Sequence, residues 1–306
     1  MKPRAASIVT DGGVDAETNI DAGTDRADET PGADNTAVVG EGETSAETRS
    51  DTADPDALRT EGLTRRFGEL VAVDDLSIAI PRGEFRSLIG PNGAGKTTTF
   101  DLITGALSPS AGRVFLDGQD VTALPVADRV HRGLARSFQI TTVFGGLSVR
   151  ENVRLAAQSV LGTELRPHES LFRSTASFEP MTERTTAVLD RVELRERADE
   201  PARALAYGDR RRLELAIVLA TDPQVVLLDE PTAGMSAEET RATMALIDDV
   251  LADCTILLVE HDIDLVMDVS DRITVLHQGR ELATGSPEAI ARDESVQEAY
   301  LGGVRE

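Results

Sequence analysis

Large apolar side chains are scarce over residues 1–57 and then recur in short, regular runs to the end of the chain. The first segment is built mainly from Asp, Glu, Thr, Ala and Gly, with 4 basic against 14 acidic side chains. It cannot bury enough surface to offset the entropy of ordering its backbone, so a disordered acidic tail is expected over 1–57 and a folded domain over 58–303. From Leu58 the runs become β-like. Val71, Val73, Leu76, Ile78 and Ile80 approximate alternation before the turn Pro81-Arg82-Gly83, which predicts an antiparallel edge region. The apolar run 85–89 leads into a glycine-rich loop, and 97–107 reads as a helix. Between about 140 and 206 apolar positions fall at helical spacing, notably over 149–160 and 181–192, which predicts a helical subdomain. Two buried-type strands, 225–228 and 256–259, flank a helical stretch at 237–251. Strands that alternate with helices imply a mainly parallel sheet with helices packed on it.

Charge narrows the function. The net charge is −23, the opposite of the basic surface that nucleic-acid phosphates require, so no nucleic-acid partner is expected. Lys2 and Lys96 are the only lysines; every other basic residue is arginine. An acidic, lysine-poor surface suits a protein kept hydrated in concentrated salt, and predicts a salt-in halophile as the source. Cys254 is the single cysteine, cannot form an internal disulfide, and precedes the apolar run 255–259 as a small core residue. No stretch approaches the ~18 apolar residues of a membrane span, and 1–10 lacks the apolar core of a signal peptide. A cytoplasmic chain is expected, with any membrane association made through a protein partner.

The loop after the first strong strand reads Gly90, Pro91, Asn92, Gly93, Ala94, Gly95, Lys96, Thr97. It fits GxxxxGK[ST], the P-loop, in its required strand-loop-helix setting. Glycines let backbone N–H groups converge on phosphates, and the helix that starts at Lys96 adds its positive dipole end. Lys96 would contact the β- and γ-phosphates, Thr98 follows in the same cradle, and the Thr97 hydroxyl would ligate Mg²⁺. The run 225–228 ends in Asp229 and Glu230, which places both carboxylates at the carboxyl edge of the sheet. Asp229 can hold Mg²⁺, and Glu230 can polarise an attacking water as general base. The fold class expected is α/β, a P-loop NTPase core with a mainly parallel sheet, an antiparallel β edge region and a helical subdomain.

With these residues in order, the chain over about 58–303 resembles the ABC ATPase family. Gln139, in Ser-Phe-Gln, resembles the glutamine loop, which in the family senses the γ-phosphate, reaches the metal and faces the permease. Ala206, Tyr207, Gly208 and Asp209, following Leu205, resemble the signature loop that completes the ATP site of the opposite protomer. Ala206 stands where a serine is usual and Asp209 where a glutamine is usual. His261 resembles the switch histidine that contacts the γ-phosphate. Phe67 resembles the adenine-stacking aromatic, although the residue could equally be core. In 233–236, Ala-Gly-Met-Ser, the aspartate common in the family is missing. That segment, Leu-Ala-Tyr-Gly, Thr-Val-Phe after the glutamine, and Glu-Ala-Tyr-Leu-Gly near the C-terminus resemble the importer ATPases for branched-chain amino acids, with urea-importer ATPases almost as close.

The resemblance implies an ATP- and Mg²⁺-dependent hydrolase that pairs with a second ATPase subunit, identical or a sister chain. It also implies transmembrane permease subunits as partners, an extracytoplasmic solute-binding protein acting indirectly, and a place on the cytoplasmic face of the membrane. A soluble ABC ATPase acting on ribosomes or DNA is the alternative class, but no second P-loop or sustained heptad accompanies the acidic charge. A binding-only module is the third, and Glu230 and His261 count against it.

Overall fold

The computed structural model describes residues 56–137, 143–161 and 179–302. Asp56–Phe67 (β1) pairs antiparallel with Leu70–Leu76 (β2), Ala79–Pro81 (β3) and Ala111–Leu116 (β5), and β5 pairs with Gln119–Asp120 (β6). This is the expected antiparallel region, though it is centred on one strand of 12 residues. The strand begins at Asp56, and Ala57 is buried. The last two residues assigned to the tail are therefore strand, because Ala57 packs with Leu58 in the core; the rest of the tail lies outside the described residues.

The second sheet carries the strand that leads into the glycine-rich loop. Its order is Arg280–Gly285 (β11), Arg272–His277 (β10), Phe85–Ile89 (β4), Thr255–Val259 (β9), Val225–Asp229 (β8), Leu134–Ser137 (β7). All neighbours are parallel except the β10–β11 hairpin. β8 and β9 are buried on both faces, as a parallel sheet requires: Leu227 and Leu257 face one hydrophobic core, while Val226, Leu228, Ile256 and Leu258 face another.

The first core lies between the sheets around Lys96–Thr104 (α1), whose Phe100, Leu102 and Ile103 are almost wholly buried, each such side chain contributing roughly 1.5–3 kcal/mol. α1 stops three residues short of the predicted end. Gly105 adopts the left-handed conformation as its C-cap, and the buried Arg129 of the short helix Val126–Val130 (α2) donates to the carbonyls of Leu102 (2.8 Å) and Ile103 (2.6 Å). A guanidinium among carbonyls satisfies the orphan acceptors of a helix end, and its burial lowers its pKa.

The second core is covered by Val149–Leu161 (α3), Glu179–Arg191 (α4), Tyr207–Ala220 (α5) and Ala237–Val250 (α6). α3 and α4 fall within two residues of their predicted spans. Cys254 is buried in this core and donates to the Pro223 carbonyl (3.3 Å). A third apolar cluster is closed by Ile263–Val269 (α7), Pro287–Arg292 (α8) and Glu294–Gly302 (α9). Among the described residues, no helix is long and apolar enough to cross a membrane.

Candidate active site

Three strands adjacent in the sheet, β4, β9 and β8, end at one edge, so the residues that follow them meet there. The P-loop follows β4, His261 lies two residues beyond β9, and Glu230 follows β8. A crevice at the carboxyl ends of parallel strands is the ligand position of such sheets. The cleft there, about 240 Å³, is lined by Ala72, 92–98, Glu230 and His261.

Backbone contacts fix the loop. Gly90 has φ 154, and a Cβ there would lie 2.2 Å from the Leu276 carbonyl of β10. Gly95, at φ 103, would place one 2.5 Å from the Ala72 carbonyl of β2. Gly93, at φ 80, faces open space. The loop is thus pressed against two strands on one side and open on the other, as a backbone cradle for phosphate must be. Lys96 is buried, and its ammonium donates to the carbonyls of Gly90 (2.7 Å) and Pro91 (3.3 Å). Burial lowers its pKa, partly offset by the carboxylates of Glu230 and Asp229.

Glu230 has φ 47, a conformation sparsely used by residues with a side chain, and its N–H still donates to the Val259 carbonyl at 2.8 Å. The chain thereby leaves the sheet with Glu230 in the cleft, where Oε1 lies 2.7 Å from His261 Nε2. Behind this pair, the buried Glu260 accepts from the Thr232 N–H (2.9 Å), the Thr232 hydroxyl (2.7 Å) and the His261 N–H (3.2 Å). It ties the segment after Glu230 to the segment carrying His261. Ser236, the last residue of the segment 233–236, forms a capping box with Glu239 at the start of α6, so this segment still caps the helix.

Asp229 does not line the cleft beside Thr97; its Oδ2 accepts from Arg136 Nη2 at 2.6 Å. Burial alone would lower the Arg136 pKa, but hydrogen bonds to Asp101 and Asp229 raise it overall. Sequence reasoning passed over Arg136, Asp101 and Ala72. Arg136 carried one signal, its place three residues before Gln139. Gln139 itself lies outside the described residues.

Phe67 is 46% exposed with the Arg65 guanidinium 4.6 Å from its ring centre, which rules out the core alternative; it is not among the lining residues of the cleft. Ala206, Tyr207, Gly208 and Asp209 are likewise absent from that lining. They open α5, with Ala206 as an N-cap that has no side-chain hydrogen bond, Tyr207 exposed, and Asp209 paired to Arg197 at 3.0 Å.

The ABC transporter family pattern matches residues 73–233, and a second, described as branched-chain amino acid ATP-binding cassette transporter, matches 280–306. The chain is 41% identical over 250 residues to the high-affinity branched-chain amino acid transport ATP-binding protein LivG of Escherichia coli (strain K12), spanning 80% of this chain and 97% of that protein. It is 40% identical over 250 residues to the corresponding protein BraF of Pseudomonas aeruginosa, with the same coverage of 80% and 97%. Its fold matches the crystal structure of the ADP conformation of an ATP-binding cassette of an ABC transporter, with TM-score 0.68 and 30% identity over 81% of this chain and 99% of that one. Cleft, strand order and sequence therefore agree, and the chain belongs to the ABC transporter family as one of its ATP-binding, ATP-hydrolysing cassettes.

Proposed function

We propose that this cassette hydrolyses ATP on the cytoplasmic face of a membrane to drive import of branched-chain or other hydrophobic amino acids. The observation that carries the hydrolytic step is the 2.7 Å contact between Glu230 and His261 at the mouth of the phosphate cleft. The P-loop N–H groups and Lys96 bind the phosphates, and Lys96 exchanges its carbonyl acceptors for phosphate oxygens. Glu230 orients the attacking water and takes its proton, while His261 holds Glu230 and faces the γ-phosphate.

By their chemistry, the exposed Thr97 hydroxyl in the cleft and the Asp229 carboxylate at the end of β8 suit a hard divalent cation, and Gln139 is the further donor of this reading. Mg²⁺ held there would offset the charge of the β- and γ-phosphates. The Ala206–Asp209 segment serves the site of a second cassette, identical or a sister chain, and Phe67 stacks on adenine. Permease subunits anchor the pair to the membrane, and a solute-binding protein acts through them. The charge of −23 and the two lysines support activity in molar salt.

The cargo reading rests on the names of the curated relatives and on the match at 280–306. It is tested by phosphate release from proteoliposomes holding the cassette and its cognate permease. Binding protein loaded with leucine, isoleucine or valine should stimulate hydrolysis. Stimulation by urea instead would support the sequence alternative, and stimulation by neither would overturn amino-acid import.

A further inference from the structure

Arg136 joins two elements that have separate duties at the cleft. Its Nη1 donates to Asp101 Oδ1 and its Nη2 to Asp229 Oδ2, each at 2.6 Å. The Arg136 side chain is only 13% exposed, and its guanidinium lies 5.6 Å from the Phe100 ring centre. Asp101 is one turn after Thr97 on α1, so the two share a helix face. Asp229 closes β8. A single planar fork thus ties the helix carrying Thr97 to the strand carrying Asp229, through Oδ2 of Asp229.

We propose that Arg136 is a positioning residue for the divalent-cation site, fixing the separation and orientation of the Thr97 and Asp229 oxygens by bridging Asp101 and Asp229. This rests on the reading of Thr97 and Asp229 as metal donors. Two effects of the side chain oppose each other. Its positive charge disfavours a cation nearby, whereas its fork holds the donors in place. Mg²⁺ and Mn²⁺ sites depend strongly on ligand geometry, and loss of an outer partner typically costs about 10–100-fold in metal affinity. Orientation therefore outweighs the charge, which Asp101 already balances. Lysine supplies the charge but not the two-pronged geometry.

The test titrates Mn²⁺ into the full-length protein with ADP, followed by electron paramagnetic resonance. Wild type is compared with Arg136→Met, Arg136→Lys, Asp101→Asn and Asp229→Asn. Mn²⁺ affinity should fall about tenfold in Arg136→Met, and about three- to fivefold in Arg136→Lys and Asp101→Asn. Binding of a fluorescent ADP analogue in EDTA should stay within about twofold in all three, which a general loss of structure would not allow. Unchanged or tighter Mn²⁺ binding in Arg136→Met would overturn the proposal. If that variant does not fold, Asp101→Asn decides in the same way. Asp229→Asn separates the two readings. If it binds Mn²⁺ as wild type, the metal assignment fails; if it alone loses Mn²⁺, only the role of Arg136 fails.

Discussion

The P-loop edge of the sheet and the first turn of α5 are both readings for ATP phosphate, yet they are built in opposite ways. At the sheet edge the proposed site groups that the structure describes are braced: Lys96 by two carbonyls, Glu230 by His261, and the segment behind them by Glu260. At α5 the N-cap side chain is a methyl group, Tyr207 is exposed, and a Cβ on Gly208 would meet nothing within 4 Å. The first region is braced from within its own chain. The second is an exposed helix start whose cap makes no side-chain hydrogen bond, which suits a phosphate brought by another molecule. Preorganisation belongs where bonds break, and open donors belong where two chains must meet and part.

The strongest way to break this contrast is Glu230→Gln. The amide keeps the size but cannot take the proton of water, so phosphate release should fall by about 10²-fold or more while ATP binds nearly as before. Size-exclusion chromatography with ATP and Mg²⁺ should then show a trapped dimer. Wild-type turnover would remove Glu230 from catalysis. Next in size is Gly208→Asp, which places a negative side chain on the open turn without disturbing the fold. ATP binding by the isolated chain should persist, but the ATP-dependent dimer should disappear and turnover drop about tenfold or more. A variant that still dimerises with ATP would show that α5 does not meet phosphate.

Lys96→Met sharpens the other side. Because burial already disfavours the ammonium, the variant should lose ATP binding and yet melt higher, by roughly 1–3 °C in calorimetry without nucleotide. The sign of its pH dependence also follows. A lysine with a lowered folded pKa costs stability below that pKa, and the cost fades as pH rises toward the unfolded value. The wild-type deficit relative to Lys96→Met should therefore shrink at alkaline pH; a constant gap would deny the burial cost. The smallest effect is expected from removing 1–55, which should leave ATPase activity within about twofold in molar salt. Full activity and a cooperative melt in dilute buffer would contradict the proposed activity in molar salt.

The cleft was the legible part of the fold. The P-loop, Glu230 and His261, each next to an apolar run that reads as a strand, meet there as the sequence suggested, whereas Asp229 turns to Arg136 instead of lining the cleft. The brace was not legible. Arg136 lies on a strand of four residues, too short for periodicity to define, and its partners are 35 and 93 positions away in sequence. The long strand β1 was blurred because its ladder with β2 shifts register around Leu63–Arg66, with Asp75 at positive φ, which breaks simple alternation. The end of α1 was overrun because the sequence does not announce that Arg129 arrives to close it.

The crowding at Gly90 reaches beyond mechanism into the genetic code. Every amino-acid substitution reachable from a glycine codon by one base change adds a Cβ, and here that atom would collide with the Leu276 carbonyl. There is no smaller residue to pass through, and the nearest obstacle is backbone, with the Ala94 Cβ next at 3.0 Å. Position 90 can therefore change only if β10 moves first, and β10 is held between β4 and β11. The first residue of the loop is thus fixed by the strand beside the one that carries it.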